Sequence, residues 1–224
     1  MDTARVLVVD VGGNNVKLYG HLADQRAKVP SGKSLTPDVM VDEVRKATSG
    51  WGFDRITIGT PGAVVDNRTT VAPINLGGGW VGFDFGAAFG VPTRLINDAV
   101  MQALGSYEGG KMLFLGLGTG LGVTMIVDDT VVPLEVAHLP YRNGRTYEDH
   151  LGKRGLDRLG RSRWERYVHK VVALFAAAFV VDDIVLGGGN TKELKKLPAL
   201  CRRGANDLAR RGGERVWADP LLRI

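Results

Sequence analysis

The sequence predicts an α/β protein built of two related lobes, and three observations carry that prediction. The chain opens with an apolar run, a glycine turn and a second, alternating run, Val6–Lys17. The same strand, glycine turn and strand return about 105 residues later at Met112–Val127. Helical periodicities and short β-branched strands fill the rest, and a repeat of this size reads as duplication of one folding unit.

In the opening hairpin, Val6-Leu7-Val8-Val9 suits a buried strand, and Asp10 stands where that strand leaves the core. Gly12 and Gly13 are expected to take φ > 0 and turn the chain. Val16, Leu18 and Gly20 then alternate with Asn15, Lys17 and Tyr19 in strand period. Glycines joining strand to strand exclude a dinucleotide fold, in which they join strand to helix. Exposed amides beside Asp10 and Lys17 suit a phosphate and metal cradle, and the plain alternative is an ordinary tight hairpin.

Ala23–Thr36 is polar and turn-rich. Its Ser31-Gly32-Lys33-Ser34 imitates the end of a Walker A loop, but Ala27 stands where that motif needs glycine. Pro37–Ser49 reads as a helix capped by Thr36 and stopped by Gly50, with Val39, Met40 and Val44 on one face. Arg55–Gly59 is a strand leading into the rigid turn Thr60–Val64, whose backbone amides can meet a ligand. Ile74–Trp80 sets three glycines beside a tryptophan, as either a loose turn or a sugar-binding lip. Phe83–Phe89 is a short helix. Val91–Ile96 is a strand that delivers Asn97-Asp98 to the helix Ala99–Tyr107. From position alone, Asp98 is first a helix cap and only second a catalytic carboxylate.

The second hairpin turns through Gly116–Gly122, GLGTGLG, again with a strand after the glycines. Glycine loops in two lobes suit a phosphate chain held in a cleft between them. Glu135 and His138 lie three apart before Pro140, and Glu148 follows. A lone histidine near a proline is more often structural, and this set is no standard zinc motif. Arg163 to Val181 is a long helix whose C-terminal half is apolar nearly all round and expected to be deeply buried. Ile184–Leu186 feeds Gly187-Gly188-Gly189-Asn190 and a helix through Lys196, a place for a nucleotide base or a further phosphate. Arg202–Ile224 is basic and poorly patterned.

The bulk composition excludes several classes. With 44% hydrophobic residues and a mean hydropathy of −0.02, the chain is an ordinary globular sequence. One cysteine, Cys201, excludes an internal disulfide and a cysteine-rich zinc site, and points to a reducing, cytoplasmic setting. No signal peptide is expected, since Asp2 and Arg5 precede a run too short for one. The longest apolar run, Val171–Val181, is well short of the roughly 18 residues that span a bilayer. The net charge is +5 and uneven. Nine Lys/Arg face four Asp/Glu between Arg142 and Lys170, and Arg202, Arg203, Arg210, Arg211 and Arg215 form a second group. Such runs are solvated faces or attract a polyanion.

Taken in order, Asp10-Val11-Gly12-Gly13 with Lys17, Thr60-Pro61-Gly62, Leu95–Ala99, Gly116–Gly122, Glu135–Tyr141, Thr146–Asp149 and Leu186–Asn190 resemble the ROK group (repressors, open reading frames, kinases) of sugar kinases. The branch that the chain resembles most is the bacterial polyphosphate glucokinases. The resemblance implies a two-lobed actin-like, hexokinase-like ATPase fold with duplicated ribonuclease H-like lobes, divided as residues 1–98 and 99–224. It implies that Asp98 is the general base toward the sugar 6-hydroxyl. Asn97, Glu135, His138 and Glu148 would bond the sugar hydroxyls, and Gly62 would meet the sugar through its backbone. Asp10, Gly12, Gly13 and Lys17, with Gly118, Thr119, Gly120 and Gly188, would hold the phosphate donor, with Mg²⁺ near Asp10. The donor would be polyphosphate, ATP or both, and the assembly a homodimer with no nucleic-acid or membrane partner.

The chain departs from that group in three places. Tyr141–Arg145 replaces a cysteine-rich zinc loop, so no zinc is expected. Asn14-Asn15 stands where a small hydroxyl residue is usual, and the N-terminal half is short. A repressor of the group would need a helix-turn-helix ahead of the first strand, which is expected at about residue 5. A non-catalytic sugar or polyanion binder, or a kinase of another hexose or N-acyl hexosamine, are the alternatives to a glucose 6-kinase.

Overall fold

The computed structural model describes Ala4–Ala205 and Asp207–Ile224, and these residues fall into two compact units. The first runs to Gly105 and takes back Ala209–Pro220; the second holds Ser106–Leu208 and Leu221–Ile224. The division thus follows the helix after Asn97 instead of preceding it, and part of the basic tail counts with the first unit.

In the first unit, β1 (Val6–Val11), β2 (Asn15–Tyr19), β3 (Arg26–Pro30), β4 (Arg55–Thr60) and β7 (Thr93–Asn97) form one sheet in the order β3-β2-β1-β4-β7. β5 (Val64–Val65) and β6 (Arg68–Thr69) make a small separate hairpin. The pairs β1/β2 and β2/β3 are antiparallel, and β1/β4 and β4/β7 are parallel. β1 is buried at all six positions, as an apolar strand covered on both faces must be. α1 (Pro37–Ala47) and α2 (Phe85–Phe89) share its hydrophobic core, and α3 (Asp98–Ser106) sets Met101 against Gly59 of β4.

Thr36 caps α1 as expected, its hydroxyl accepting the Val39 N–H at 3.4 Å. The buried stripe of α1 is Met40, Val41 and Val44, however, and Val39 faces outward. β3 lies within the stretch read as turns. It is an edge strand with only Val29 buried, so its apolar period is nearly silent. Trp80 is 1% exposed and donates to the Leu35 carbonyl at 3.1 Å, so it anchors the core and forms no sugar-binding lip.

The second unit repeats the scheme. β8 (Lys111–Leu117), β9 (Leu121–Val127), β10 (Thr130–Leu134), β13 (Asp183–Gly187) and β14 (Cys201–Arg203) form a sheet in the order β10-β9-β8-β13-β14. Its directions match those of the first sheet position by position. The duplication read from the two hairpins therefore extends to five strands each. β11 (Pro140–Arg142) and β12 (Arg145–Thr146) form a separate ribbon.

Helices α4 (Tyr147–Leu151), α5 (Lys153–Leu159) and α6 (Arg161–Phe179) follow. α6 buries Trp164, Val168, Val171, Val172 and Phe175 along one face, while Ala173, Leu174, Ala177 and Ala178 are exposed. Its apolar C-terminal half is thus half-buried and not fully enclosed. After β13 comes a 3₁₀ turn, Gly189–Glu193, where a helix through Lys196 was expected.

The last helix, α7 (Leu208–Ala218), is amphipathic and returns to the first unit from Ala209 onward. Two glycines in mid-helix hide it from propensity. Both serve close packing, since a Cβ on Gly212 would strike the Met101 carbonyl and one on Gly213 the Val8 side chain. Thr57 donates to the Gly213 carbonyl at 2.7 Å and accepts from Trp217 Nε1 at 2.8 Å. No helix among the described residues is long and apolar enough to cross a membrane.

Candidate active site

In the first unit, β1 and β2 place Asp10 opposite Lys17, and Lys17 Nζ reaches Asp10 Oδ2 at 3.1 Å. Asp10 is buried and Lys17 about half exposed. Burial alone would lower the Lys17 ammonium. The Asp10 carboxylate beside it, with its hydrogen bond and smaller contributions from Tyr19 and Asp98, instead holds it above the ordinary value. The turn above them closes by Gly12 N–H to the Asn15 carbonyl at 3.0 Å.

Neither Gly12 nor Gly13 has the positive φ expected of it. Gly12 is needed for space, because a Cβ there would lie 3.0 Å from the Asn15 oxygen. Asn14 and Asn15 are exposed at the tip, and the Asn14 carbonyl accepts from Ser31 N–H at 3.1 Å.

At the end of β7, Asn97 does the capping. Its Oδ1 accepts from Ala99 N–H at 2.8 Å and Val100 N–H at 3.3 Å, and its Nδ2 donates to the Gly62 carbonyl at 2.9 Å. Gly62 needs its glycine, with φ +96°. Asp98 is the first residue of α3, half-buried, and its Oδ1 also accepts from Ala99 N–H at 2.8 Å. The α3 cap therefore does not depend on Asp98. Asp10 and Asp98 both act on the Lys17 ammonium, and Gly62 is tied to Asn97.

In the second unit, the loop Gly118–Gly120 is held from several sides. Gly118 N–H donates to the Gly120 carbonyl at 3.1 Å, and Lys153 N–H to the Gly118 carbonyl at 3.0 Å. Asn190 Nδ2 donates to the same Gly118 oxygen at 2.8 Å. Gly188, with φ +83°, lies so close to Leu117 that a Cβ would overlap its backbone. These contacts join the GLGTGLG turn, Gly188 and Asn190 into one loop cluster.

Glu148 belongs to the same cluster. Its Oε2 accepts from Leu121 N–H at 3.2 Å, and a Cβ on Gly120 would overlap that oxygen. Its position is fixed from below by a capping box at the start of α4, in which Thr146 and Asp149 cap each other. Hydrogen bonds from Thr146 hold the Asp149 carboxyl below its ordinary value. Arg154 NH2 stands 3.4 Å from Glu148 Oε1, a neighbour that spacing alone did not suggest.

Glu135 and His138 flank a 3₁₀ turn, with Oε2 and Nε2 3.5 Å apart and both side chains exposed. Beside β11 and β12 lies an aromatic cluster in which Tyr141 stacks on Tyr147 at 4.6 Å. His150, unassigned by sequence, is 1% exposed there between Tyr141 and Tyr167. Of these rings, Tyr141 lies in the segment Tyr141–Arg145. Burial first, then Asp183, pushes the Cys201 thiol up to about 12, so it remains a protonated thiol.

Among the described residues no cluster of three or more His, Cys, Asp or Glu is placed to hold a metal by itself. Magnesium in phosphoryl-transfer sites takes one or two carboxylates and completes its shell with water and donor phosphates. Asp10, a buried carboxylate at a strand end beside a glycine turn, fits that requirement.

No family model matches the chain. Polyphosphate glucokinase of Mycobacterium tuberculosis is 25% identical to it over 218 residues, covering 87% of this chain and 82% of that protein. The inorganic polyphosphate/ATP-glucomannokinase of Arthrobacter sp. strain KM shares its fold with a TM-score of 0.81 and 22% identity, over 96% of this chain and 98% of that one. A ROK family glucokinase of Streptomyces griseus, solved with glucose and AMPPNP, has a TM-score of 0.77 and 16% identity, over 95% and 99%. The likeness drawn from the ordered motifs is borne out: the chain is a relative of polyphosphate glucokinase with the fold of the ROK sugar kinases.

Proposed function

We propose that this carbohydrate kinase phosphorylates a hexose, glucose first, at the 6-hydroxyl, with inorganic polyphosphate, ATP or both as donor. The observation that carries the reading is the start of α3. Asn97 supplies the cap and binds the Gly62 carbonyl, and this sets the Asp98 carboxylate at a strand end within electrostatic reach of Lys17.

In the reaction, the sugar 6-oxygen attacks the terminal phosphorus while Asp98 accepts its proton. The bond from phosphorus to the bridging oxygen breaks, and the shortened polyphosphate or ADP leaves. Little covalent work is asked of the protein, so positioning and charge carry most of the catalysis. Lys17 contributes fixed positive charge beside the donor. Asp10 would hold Mg²⁺, which when bound offsets charge on the donor phosphates.

Asn97, Glu135, His138 and Glu148 bond the sugar hydroxyls, with the backbone at Gly62. The turns at Gly12-Gly13 and Gly118-Thr119-Gly120, with Gly188, receive the donor phosphates. We infer from the same resemblance a cytoplasmic homodimer with no nucleic-acid role.

The test is Asp98→Asn. A general base is worth about 10²- to 10⁴-fold, so kcat should fall by that much while calorimetry still shows glucose binding. A variant with near-normal kcat would remove Asp98 from the role.

A further inference from the structure

We propose that a basic groove on the second unit, formed by α6 and the segment Lys195-Lys196, binds the distal part of a long polyphosphate chain. Two adjoining cavities of about 490 and 200 Å³ make up the groove, and they share Arg166 and Lys170. Arg163, Lys195 and Lys196 complete its positive lining, with His169 beside them.

Several basic side chains elsewhere in this unit and in α7 are paired with acids. Arg202 meets Asp183 and Glu108, Arg161 meets Glu193, Arg210 meets Glu214, and Arg215 meets Asp219. Among the described residues no ion pair involves Arg163, Arg166, Lys170, Lys195 or Lys196. The one acid in the lining, Glu165, accepts the backbone N–H groups of Lys195 and Lys196 at 2.8 and 2.9 Å. It fixes the segment in place and offsets a single charge. Five cations gathered against one carboxylate repel one another, and a polyanion relieves that repulsion.

A nucleic acid would want exposed aromatic faces for its bases. The one aromatic residue of the groove, Tyr167, is instead packed against His150 and Tyr141. The groove also lies a short stretch of chain from the second glycine loop. Asn190, bonded to the Gly118 carbonyl, precedes Lys195 by five residues, at most about 18 Å of chain. A long phosphate polymer on the loop can continue into the groove, whereas a triphosphate has little left to offer it.

The proposal rests on the kinase reading only for the loop end of the chain, so its test measures binding without turnover. Long-chain polyphosphate, tripolyphosphate, ATP and an RNA oligonucleotide are titrated into the full chain by calorimetry across a salt series. The same titrations follow with Arg166→Ala/Lys195→Ala/Lys196→Ala and with Arg163→Gln/Lys170→Gln. The triple variant should bind long-chain polyphosphate about tenfold or more weakly, with a salt slope smaller by about two. The double variant should shift in the same direction, and ATP and tripolyphosphate should be unchanged.

Unchanged long-chain binding in both variants would overturn the proposal, as would an equal loss for ATP or tighter binding of RNA than of polyphosphate. Groove-dependent binding by a protein that turns over no sugar would retain the groove and remove the kinase reading.

Discussion

Replacing Gly120 by alanine tests how the second glycine loop and Glu148 depend on each other. The new methyl would overlap Glu148 Oε2 and lie 3.2 Å from Glu148 Cδ. Because the obstructed atoms are the end of a flexible side chain, the fold can accommodate the change by moving the carboxylate. That movement breaks the 3.2 Å bond from Leu121 N–H. A hydrogen bond to a charged group is worth roughly 1.5–3 kcal/mol, about 10- to 100-fold in a binding constant. If Glu148 holds a sugar hydroxyl, KM for glucose should rise by that factor with the donor KM nearly unchanged. Gly118→Ala is the control, because a Cβ there meets nothing within 4 Å and its φ is not in the left-handed region. It should leave the glucose KM alone. The measurement is initial-rate kinetics with each substrate varied in turn. A Gly120→Ala enzyme with the wild-type glucose KM would refute the link between loop and acceptor.

The remaining predictions concern charge and stability. Lys17→Met removes the partner of buried Asp10 and should lower stability by about 1 kcal/mol, the low end for a charged bond because Lys17 is half in solvent. The Lys17 pKa is raised in the folded state, so its contribution is complete below the ordinary value of 10.5 and is lost as pH rises through the folded value. The gap in urea midpoint between the two proteins should therefore hold through neutral pH and close only in strong alkali. Asp149→Ala breaks the α4 capping box and should cost about 1 kcal/mol at pH 7. Its pKa is depressed, so the deficit should vanish as pH falls below the ordinary 3.8, as acid-range denaturant titrations would show.

The hairpins, the glycine loops and most helices were legible because each carries a local period. Val6–Val9 and Met112–Leu115 are apolar runs that lead into glycine turns, and Thr36 before Pro37 marks a helix start. Elements defined by long-range packing were not legible. β3 shows one buried residue, and α7 owes its mid-helix glycines to neighbours about 110 and 200 residues earlier in the chain, Met101 and Val8. Parallel pairing of β1 with β4 and of β8 with β13 likewise leaves no local trace.

In the site, residue types were legible and roles within the fold were less so. Asn97, and not Asp98, carries the α3 cap, which their order along the chain does not reveal. In the first loop, Gly12 gives clearance where a left-handed turn conformation was expected. The basic residues divide in the same hidden way: Arg161, Arg202, Arg210 and Arg215 find acids, and among the described residues Arg163, Arg166, Lys170, Lys195 and Lys196 form no ion pair. Charge along the sequence shows only their sum.

The central claim is phosphoryl transfer to a hexose. A coupled assay of glucose, mannose and an N-acyl hexosamine against ATP and long-chain polyphosphate, each with Mg²⁺, tests it most directly. The account predicts glucose 6-phosphate from glucose with at least one donor, and loss of that product in Asp98→Asn. Glucose binding by calorimetry with no phosphorylated sugar from any donor would contradict it.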